Sequence, residues 1–375
     1  MHRFRSTCLA LLVVVPLVAL GEPYVPASDA AVLAQVPPGA RHAATPELAA
    51  TRLDIALPLA RLDISRARAG ADLRFLGYAE ALLAPWMQRP EPPAQVLVLH
   101  AEILQSRHEF AQSLEELERA LQERPGDVQG WLTRATVLRV LGRFEEARQS
   151  CDRLLPAADG AVAGLCVQSL RGLTGHLEDA YRTVRALSAR DGETRAWQYS
   201  ELGEMAARLG DALAAERWFR AGLESAPLDL YMRTALADVL LREDHPEEVL
   251  TLLAGDESME PALLRLVIAH RLLRDGRGAP LEARLSAAFA IELRREEPVH
   301  RREQARFLLD VEADAGAALE AARENWRVQR EPEDALILLR AAAAAHDRRA
   351  AQPVFDFLRR TGLEDRRLAP WSGAS

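Results

Sequence analysis

The sequence predicts an all-α fold, a solenoid of about eight to nine antiparallel helix pairs, and three observations lead to this prediction. Residues of the same kind recur 34 positions apart, as Ala135 and Phe144 do after Ala101 and Phe110. Hydrophobic residues make up 49% of the chain and aromatic residues only 5%, a composition typical of helices that pack on small side chains. Runs of Val, Ile and Thr, which would favour strands, are absent after the N-terminus.

Glycine and proline mark the helix ends within each predicted pair. Gly142 and Gly210 follow the first helix of their pairs, where the chain needs a residue that adopts the left-handed conformation. Pro125 and Pro227 follow the second helix, because proline cannot continue it. Regular pairs are therefore predicted to begin near Ala94, Val128, Ala161, Ala196 and Leu230, and less regular pairs near Pro261, Pro298 and Glu333.

The chain divides into six predicted segments. The first helix pair opens at Thr45, which supplies an N-cap hydroxyl, and Pro46, which suits the first helical position. The segments are a signal peptide (1–21), an extended lead-in (22–44), an N-terminal helix pair with its loop (45–93), regular repeats (94–254), degenerate helical repeats (255–362) and a C-terminal tail (363–375) that we expect to form a loose cap.

The N-terminus has the pattern of a secretory leader. A short basic start precedes an apolar run from Cys8 to Leu20, and Ala19-Leu20-Gly21 is suited to cleavage. The run is shorter than the roughly 20 residues that a membrane-spanning helix needs. The protein is therefore expected to be exported, to the periplasm or beyond the cell. The alternative is an uncleaved leader, which would tether the protein to the membrane as an assembly factor.

The columns of the 34-residue period resemble the tetratricopeptide repeat, most specifically from Ala94 to Ala254. Each unit has a bulky residue, a small residue four positions on, a glycine turn, a second small residue, an aromatic residue and a late proline. The resemblance implies a right-handed solenoid whose first helices line a concave face. It also implies that this face binds a protein or peptide partner, so that the chain acts as a scaffold or adaptor.

Motifs for catalysis and cofactors are missing from the sequence. The chain contains no lysine, so all 47 basic residues are arginines and lysine chemistry is excluded. No G-x-S-x-G, H-E-x-x-H, C-x-x-C or complete G-x-G-x-x-G is present, and we expect no enzyme activity, no cofactor and no metal site. The net charge of −8 disfavours broad binding to nucleic acid. Arginine clusters such as Arg301–Arg302 stand among glutamates and are interpreted as solvated helix faces.

The resemblance also places particular side chains on the concave face. Trp197 and Tyr231 would share one column and follow each other along the groove. Trp, Tyr and Arg are enriched at binding hot spots. The partner-binding residues are predicted to be Arg139, Arg143, Trp197, Glu204, Arg208, Tyr231, Asp238 and Arg242. The two-carboxylate clamp of chaperone-binding relatives depends on Lys and Asn, and this chain has no lysine and only one asparagine, Asn325.

Two alternatives to a binding face stay open at this point. Glu204 with Arg208, and Asp238 with Arg242, are i, i+4 pairs that could stabilise only their own helices, by about 0.2–0.5 kcal/mol each. Trp197 could pack under the preceding loop. An envelope enzyme with an unrecognised site is the alternative from another functional class.

Cys151 and Cys166 are the two cysteines left once Cys8 departs with the leader, which predicts a disulfide in an exported chain. Cys151 lies in the second helix of its unit and Cys166 in the first helix of the next, and these helices are neighbours in the stack. The bond would close a loop of about 15 residues, worth about 3 kcal/mol in the chain-entropy model. The alternative is that Cys151 is an ordinary core residue and Cys166 faces elsewhere.

Overall fold

The computed structural model describes residues 46–70, 72–294 and 301–372, and the regular elements in these ranges are helices. The α-helices, numbered in chain order, are α1 (Pro46–Thr51), α2 (Leu53–Gly70), α3 (Arg74–Met87), α4 (Ala94–Ser106), α5 (Phe110–Glu123), α6 (Val128–Val140), α7 (Phe144–Asp152), α8 (Gly160–Arg171), α9 (Leu177–Ala186), α10 (Gly192–Arg208), α11 (Ala212–Ser225), α12 (Leu230–Arg242), α13 (Pro246–Leu252), α14 (Glu260–Leu273), α15 (Ala279–Arg294), α16 (Arg301–Asp310), α17 (Ala315–Val328), α18 (Pro332–Ala344), α19 (Gln352–Thr361) and α20 (Ala369–Ser372). The predicted signal peptide and lead-in, residues 1–44, lie outside the described ranges.

The helices pack in successive pairs, from α2 with α3 to α18 with α19, which confirms the predicted all-α solenoid. The predicted starts agree closely with the observed ones, and α4 and α12 begin at Ala94 and Leu230 as expected. Helix α10 begins four residues earlier than predicted because Asp191 caps it, its carboxylate accepting a 2.8 Å hydrogen bond from the backbone N–H of Thr194. No helix in the described ranges is long and apolar enough to cross a membrane.

A residue in the left-handed conformation stands between the two helices of each regular pair. Gly142, Gly175 and Gly210 have φ angles of 71°, 80° and 77°. His108 and Asp244 occupy the corresponding turns with a φ of 62° each, so the turn geometry persists where the sequence lacks glycine. The sharp turn is therefore a property of the repeat, and glycine adopts it with the least steric strain.

Cys151 and Cys166 form a disulfide that joins α7 to α8, with their Cα atoms 5.5 Å apart. This is the pairing predicted from the sequence. Both residues are buried, and they belong to the large apolar cluster that also contains Leu138, Trp326 and Phe357. The disulfide therefore lies in the part of the core where the middle and the end of the chain meet.

The C-terminal helices pack back onto the middle of the array, a contact that the sequence did not predict. The Phe357 ring of α19 lies between Phe144 of α7 and Trp326 of α17, with ring centroids 5.7 and 5.3 Å away. Just before α18, the backbone N–H of Arg330 donates a 2.8 Å hydrogen bond to the carbonyl of Val140. The later repeats thus cover the α6–α7 turn.

The tail continues along the same edge of the array. The Glu364 carboxylate accepts a 2.8 Å hydrogen bond from the backbone N–H of Leu177, at the start of α9. Arg366 packs beside Gly210, where a Cβ would lie 3.3 Å from the arginine Cδ. Leu368 is buried in the core shared with α18. The expected loose cap is wrong for residues 363–372, because these contacts hold the tail across two successive turns and close the array on itself.

Candidate binding cavity

A cavity of about 930 Å³ lies inside the closed array. Its walls come mainly from the first helices of the pairs, α6, α8, α10, α12, α14, α16 and α18, and from the C-terminal tail. Because the first helices line it, the cavity is the concave face that the repeat implies. The closing contacts of α18 and the tail turn this face from an open groove into a walled site.

The structure brings together seven of the eight residues predicted for the concave face. These are Arg139, Trp197, Glu204, Arg208, Tyr231, Asp238 and Arg242. The eighth, Arg143, is wrongly placed by the sequence argument: it lies just before α7, is exposed, and pairs with Glu146 at 2.5 Å. It follows the left-handed Gly142, which directs the chain away from the cavity toward the second helix of the pair.

Two aromatic side chains in the cavity are anchored to carboxylates of α10. The indole N–H of Trp197 donates to Oε1 of Glu201 at 3.2 Å, and the hydroxyl of Tyr231 donates to Oε1 of Glu204 at 2.9 Å. Trp197 is half-buried and also packs against the apolar core. Tyr231 is 56% exposed and lines the cavity. The two rings therefore offer apolar surface in fixed orientations.

Asp238 pairs with arginines of later repeats. Its carboxylate contacts Arg265 of α14 at 2.7 Å and Arg306 of α16 at 2.6 Å. Burial would raise the pKa of Asp238, but the charges of Arg265 and Arg306 outweigh it and hold the pKa well below its ordinary value. The interpretation of Asp238 and Arg242 as a local i, i+4 ion pair is therefore wrong, since the observed pairs join three different units.

The arginines of α16 and α18 were missed by the sequence argument. Arg340 pairs with Asp310 at 2.5 Å, and Arg306 reaches the same carboxylate at 3.4 Å. Arg302 contacts Asp334 at 2.6 Å and Glu331 at 2.9 Å, so interpreting it as part of a solvated face is wrong. A signal did exist: Arg306 and Arg340 are 34 residues apart, which continues the repeat period into the segment that looked degenerate.

The tail adds its own arginine to the cavity wall. Arg367 pairs with Glu333 of α18 and with Asp365, the latter at 2.6 Å. Burial would raise the pKa of Glu333, but the charges of Arg367 and Arg242 lower it to about 2. Glu333 is thus ionised throughout the physiological range, and its pairing with Arg367 helps to fasten the tail to α18.

Three charged side chains of α10 and α12 line the cavity without a direct ion pair. Among the described residues, no carboxylate lies within 4.0 Å of the guanidinium of Arg208 or Arg242, and no arginine lies within 4.0 Å of the Glu204 carboxylate. Arg208 is 3% exposed and donates to the carbonyl of Gly172 at 2.7 Å. Glu204 and Arg208 thus do not form the local i, i+4 ion pair considered above.

Burial dominates the titration of the two α10 residues. It lowers the pKa of Arg208, because the nearby charges of Asp365 and Glu204 compensate only in part. It raises the pKa of Glu204, and the charge of Glu333 adds to this effect. Both shifts have the direction expected for a charge that the protein itself leaves incompletely balanced.

Other chemistry has little support in the described ranges. No group of three or more His, Cys, Asp or Glu side chains there is placed to hold a metal ion. The predicted absence of a cofactor and of catalysis stays a prediction.

Comparison with known proteins gives a family match to one segment of the chain and similarities to solved structures. The tetratricopeptide repeat family model matches residues 104–168. No curated protein sequence matches the chain. Among solved structures, the chain is similar to the human IFIT1 dimer with m7Gppp-AAAA (10% identity, 78% of this chain and 77% of that chain, TM-score 0.47), to the APC/C hetero-tetramer Cut9-Hcn1 (17% identity, 77% and 55%, TM-score 0.41) and to the P58(IPK) TPR domain (15% identity, 71% and 83%, TM-score 0.26).

The matched segment runs from the end of α4 to within α8 and includes two of the left-handed turns, at His108 and Gly142. Helix pairs of the same kind flank it on both sides. Residues 104–168 thus match the tetratricopeptide repeat family, within an array that is helical throughout the described ranges.

Proposed function

We propose that this protein is a non-catalytic binding module of the cell envelope, which holds a peptide of a protein partner in its central cavity. One observation carries the proposal: two oriented aromatic rings, Trp197 and Tyr231, share a walled cavity with charged groups that lack ion-pair partners. Aromatic and arginine side chains in such surroundings are the usual anchors of binding interfaces. Helical repeats of this family are scaffolds, and they are commonly protein-interaction modules.

The size of the cavity favours a short segment over a folded domain as its occupant. Its volume of about 930 Å³ lies near the upper end of the roughly 300–1,000 Å³ typical of ligand pockets. The side chains that would contact the occupant stand on α10 and α12, so that rigid helices hold them. A peptide entering such a site meets preformed contacts and loses little affinity to reordering of the protein.

The ionisation of two cavity carboxylates, Glu333 and Asp238, supports a role in binding and not in catalysis. A general acid or base works best with a pKa near the operating pH. Arginine neighbours instead hold the pKa of Glu333 at about 2 and that of Asp238 well below its ordinary value. These carboxylates are weak bases that serve as ion-pair partners in the wall.

The proposed location rests on the leader pattern of residues 1–21, which lie outside the described ranges. The predicted disulfide fits an oxidising compartment. N-terminal sequencing of the protein recovered from the envelope fraction should show a start close to residue 22. A start at the initial methionine would support the tethered alternative.

Site-specific cross-linking tests the binding function. A photoreactive p-benzoylphenylalanine at Tyr231 should form covalent adducts with a partner in the cell, and the same group at Tyr78 on α3, outside the cavity lining, should not. Adducts at Tyr231 should fall at least about tenfold when Arg242 is changed to Glu. Equal adducts at both positions, or none at Tyr231, would contradict the proposal.

A further inference from the structure

The charges of the cavity wall balance one another except at a few positions. Nine arginines and seven carboxylates line the cavity. Within the described part of the chain, six of these carboxylates have an arginine within 4.0 Å, and Glu204 is the exception. Arg208, Arg242 and Arg330 are the arginines without a carboxylate at this distance, and Arg330 donates to the carbonyl of Leu141 at the closing contact. The charges left over are therefore of both signs.

The leftover positive charge is repeated in two successive units. Arg208 and Arg242 are 34 residues apart and are the last residues of α10 and α12. Arg208 is held in place by the carbonyl of Gly172. The side chain of Arg242 makes no hydrogen bond or ion pair with the described residues, and it is open to the cavity. The guanidinium of Arg242 therefore has donors available for a carboxylate, whereas the buried guanidinium of Arg208 occupies the equivalent position of the preceding unit.

The leftover negative charge stands one helical turn from Arg208. The Glu204 carboxylate accepts a hydrogen bond from the neutral hydroxyl of Tyr231 and has no arginine of the described residues within 4.0 Å. The aromatic faces of Tyr231 and Trp197 line the same space. A carboxylate beside aromatic rings is a favourable environment for an ammonium group.

We infer that the ligand of this cavity is a short peptide with free ends, whose terminal ammonium group lies at Glu204 and whose terminal carboxylate lies at Arg242. This inference rests on the proposed binding function and deepens it. A polyanion would meet the seven wall carboxylates, and a purely anionic peptide would leave Glu204 unmatched. A single amino acid would leave most of the roughly 930 Å³ unfilled, whereas a peptide of a few residues also supplies side chains for the aromatic faces.

Equilibrium dialysis of the purified protein against pentapeptide pools tests the inference, with retained peptides identified by mass spectrometry. Four pools of the same mixed sequences are compared: free at both ends, N-acetylated, C-amidated and blocked at both ends. The free pool should be retained best, each single block should weaken binding about tenfold, and the double block should abolish it.

Two variants assign each peptide end to its site. Glu204→Gln should weaken binding of the free and the C-amidated pools and leave the N-acetylated pool unchanged. Arg242→Gln should weaken the free and the N-acetylated pools and leave the C-amidated pool unchanged. A purely structural role would weaken all pools alike. Arg143→Gln, outside the cavity, is the matched control and should match the wild type with every pool.

Equal retention of free and doubly blocked pools would overturn the inference and leave peptide binding in the cavity standing. Cross-linking of a partner at Tyr231 without retention of any pool would also overturn it, again without touching the proposed function. Loss of both readouts would remove both proposals.

Discussion

The two sides of the cavity are built from the same repeat and use their charges differently. On α14, α16 and α18, Arg265, Arg306 and Arg340 each contact a carboxylate of another helix. On α10 and α12, Glu204 and Arg242 face the same space without an ion pair. The difference indicates that α14, α16 and α18 use their charges to close the array, whereas the charges of α10 and α12 are available to a ligand.

Energetics support this distinction. Removing one partner of a buried ion pair leaves an uncompensated charge and typically costs about 3–5 kcal/mol. Asp238 joins the two sides, since it stands on α12 and pairs with Arg265 and Arg306. The paired side is therefore expected to resist substitution for structural reasons. On the other side, substitutions should change binding more than stability.

The largest expected effect comes from breaking the closure. Phe357→Ala removes the ring that packs between Phe144 and Trp326, and a buried phenylalanine lost to alanine typically costs about 3–5 kcal/mol. Urea denaturation should show a loss of this size. Phe355→Ala, on the same helix but only half-buried, is the control and should cost clearly less. Equal losses of unfolding free energy in the two variants would mean that the packing of Phe357 against α7 adds no stability of its own.

The disulfide is the next largest expected contributor. Replacing both Cys151 and Cys166 by serine should lower the free energy of unfolding by about 3 kcal/mol in the chain-entropy model, since the loop spans 15 residues. Urea denaturation of oxidised wild type, reduced wild type and the double serine variant measures it. Reductant should destabilise the wild type and leave the serine variant unchanged. A wild type insensitive to complete reduction would contradict this expectation.

A glycine of α10 tests how tightly the regular repeats are packed. A Cβ at Gly203 would lie 2.5 Å from the ring of Phe219 on α11, so Gly203→Ala should destabilise the protein by about 1–3 kcal/mol. A Cβ at Gly77 in α3 would meet no packing neighbour within 4 Å, and Gly77→Ala should stabilise by about 0.5–1 kcal/mol. Thermal unfolding of the two variants compares them. Stabilisation by both substitutions would show that the α10–α11 contact relaxes to accommodate the added methyl group.

Most of the fold could be predicted from the sequence, because the main contacts of a repeat join residues that are close together in the chain. Gly142 and Gly210 indicate the turns. The small residue Gly203 indicates the close approach of α11, whose Phe219 lies only 16 positions further along the chain. Helix starts followed from the same period. Helix α10 starts earlier than the repeat period predicts because the Asp191 carboxylate caps its N-terminus.

The closure and half of the cavity could not be predicted, because their contacts join residues far apart in sequence. Asp238 and Arg306 are 68 positions apart, and Arg330 meets Leu141 at a separation of 189. No local pattern encodes which turn of a solenoid meets which later unit. The concave residues of α10 and α12 were identified by the family geometry, whereas Arg143 was misplaced because it stands one residue beyond the left-handed turn.

The smallest expected effect concerns two glutamates, one from each side of the cavity. Burial raises the pKa of Glu204, so ionising this carboxyl group costs more free energy in the folded than in the unfolded protein. Glu204→Gln keeps an oxygen for the Tyr231 hydroxyl and removes the charge. It should therefore raise the free energy of unfolding by about 0.5 kcal/mol at pH 7. The gain should vanish at low pH, once Glu204 is protonated in both the folded and the unfolded protein.

Glu333→Gln should show the opposite sign. The folded-state pKa of Glu333 is lowered to about 2, so its ionised form stabilises the fold above its ordinary pKa of 4.5, and this stability is lost as the pH falls toward 2. The variant should be less stable than the wild type at pH 7, with the difference shrinking between pH 4.5 and 2. Denaturation curves of both variants across pH 2–8 give the two signs. Destabilisation of both variants at pH 7 would mean that Glu204 is a structural partner like Glu333, and the contrast between the paired and the open side of the cavity would be lost.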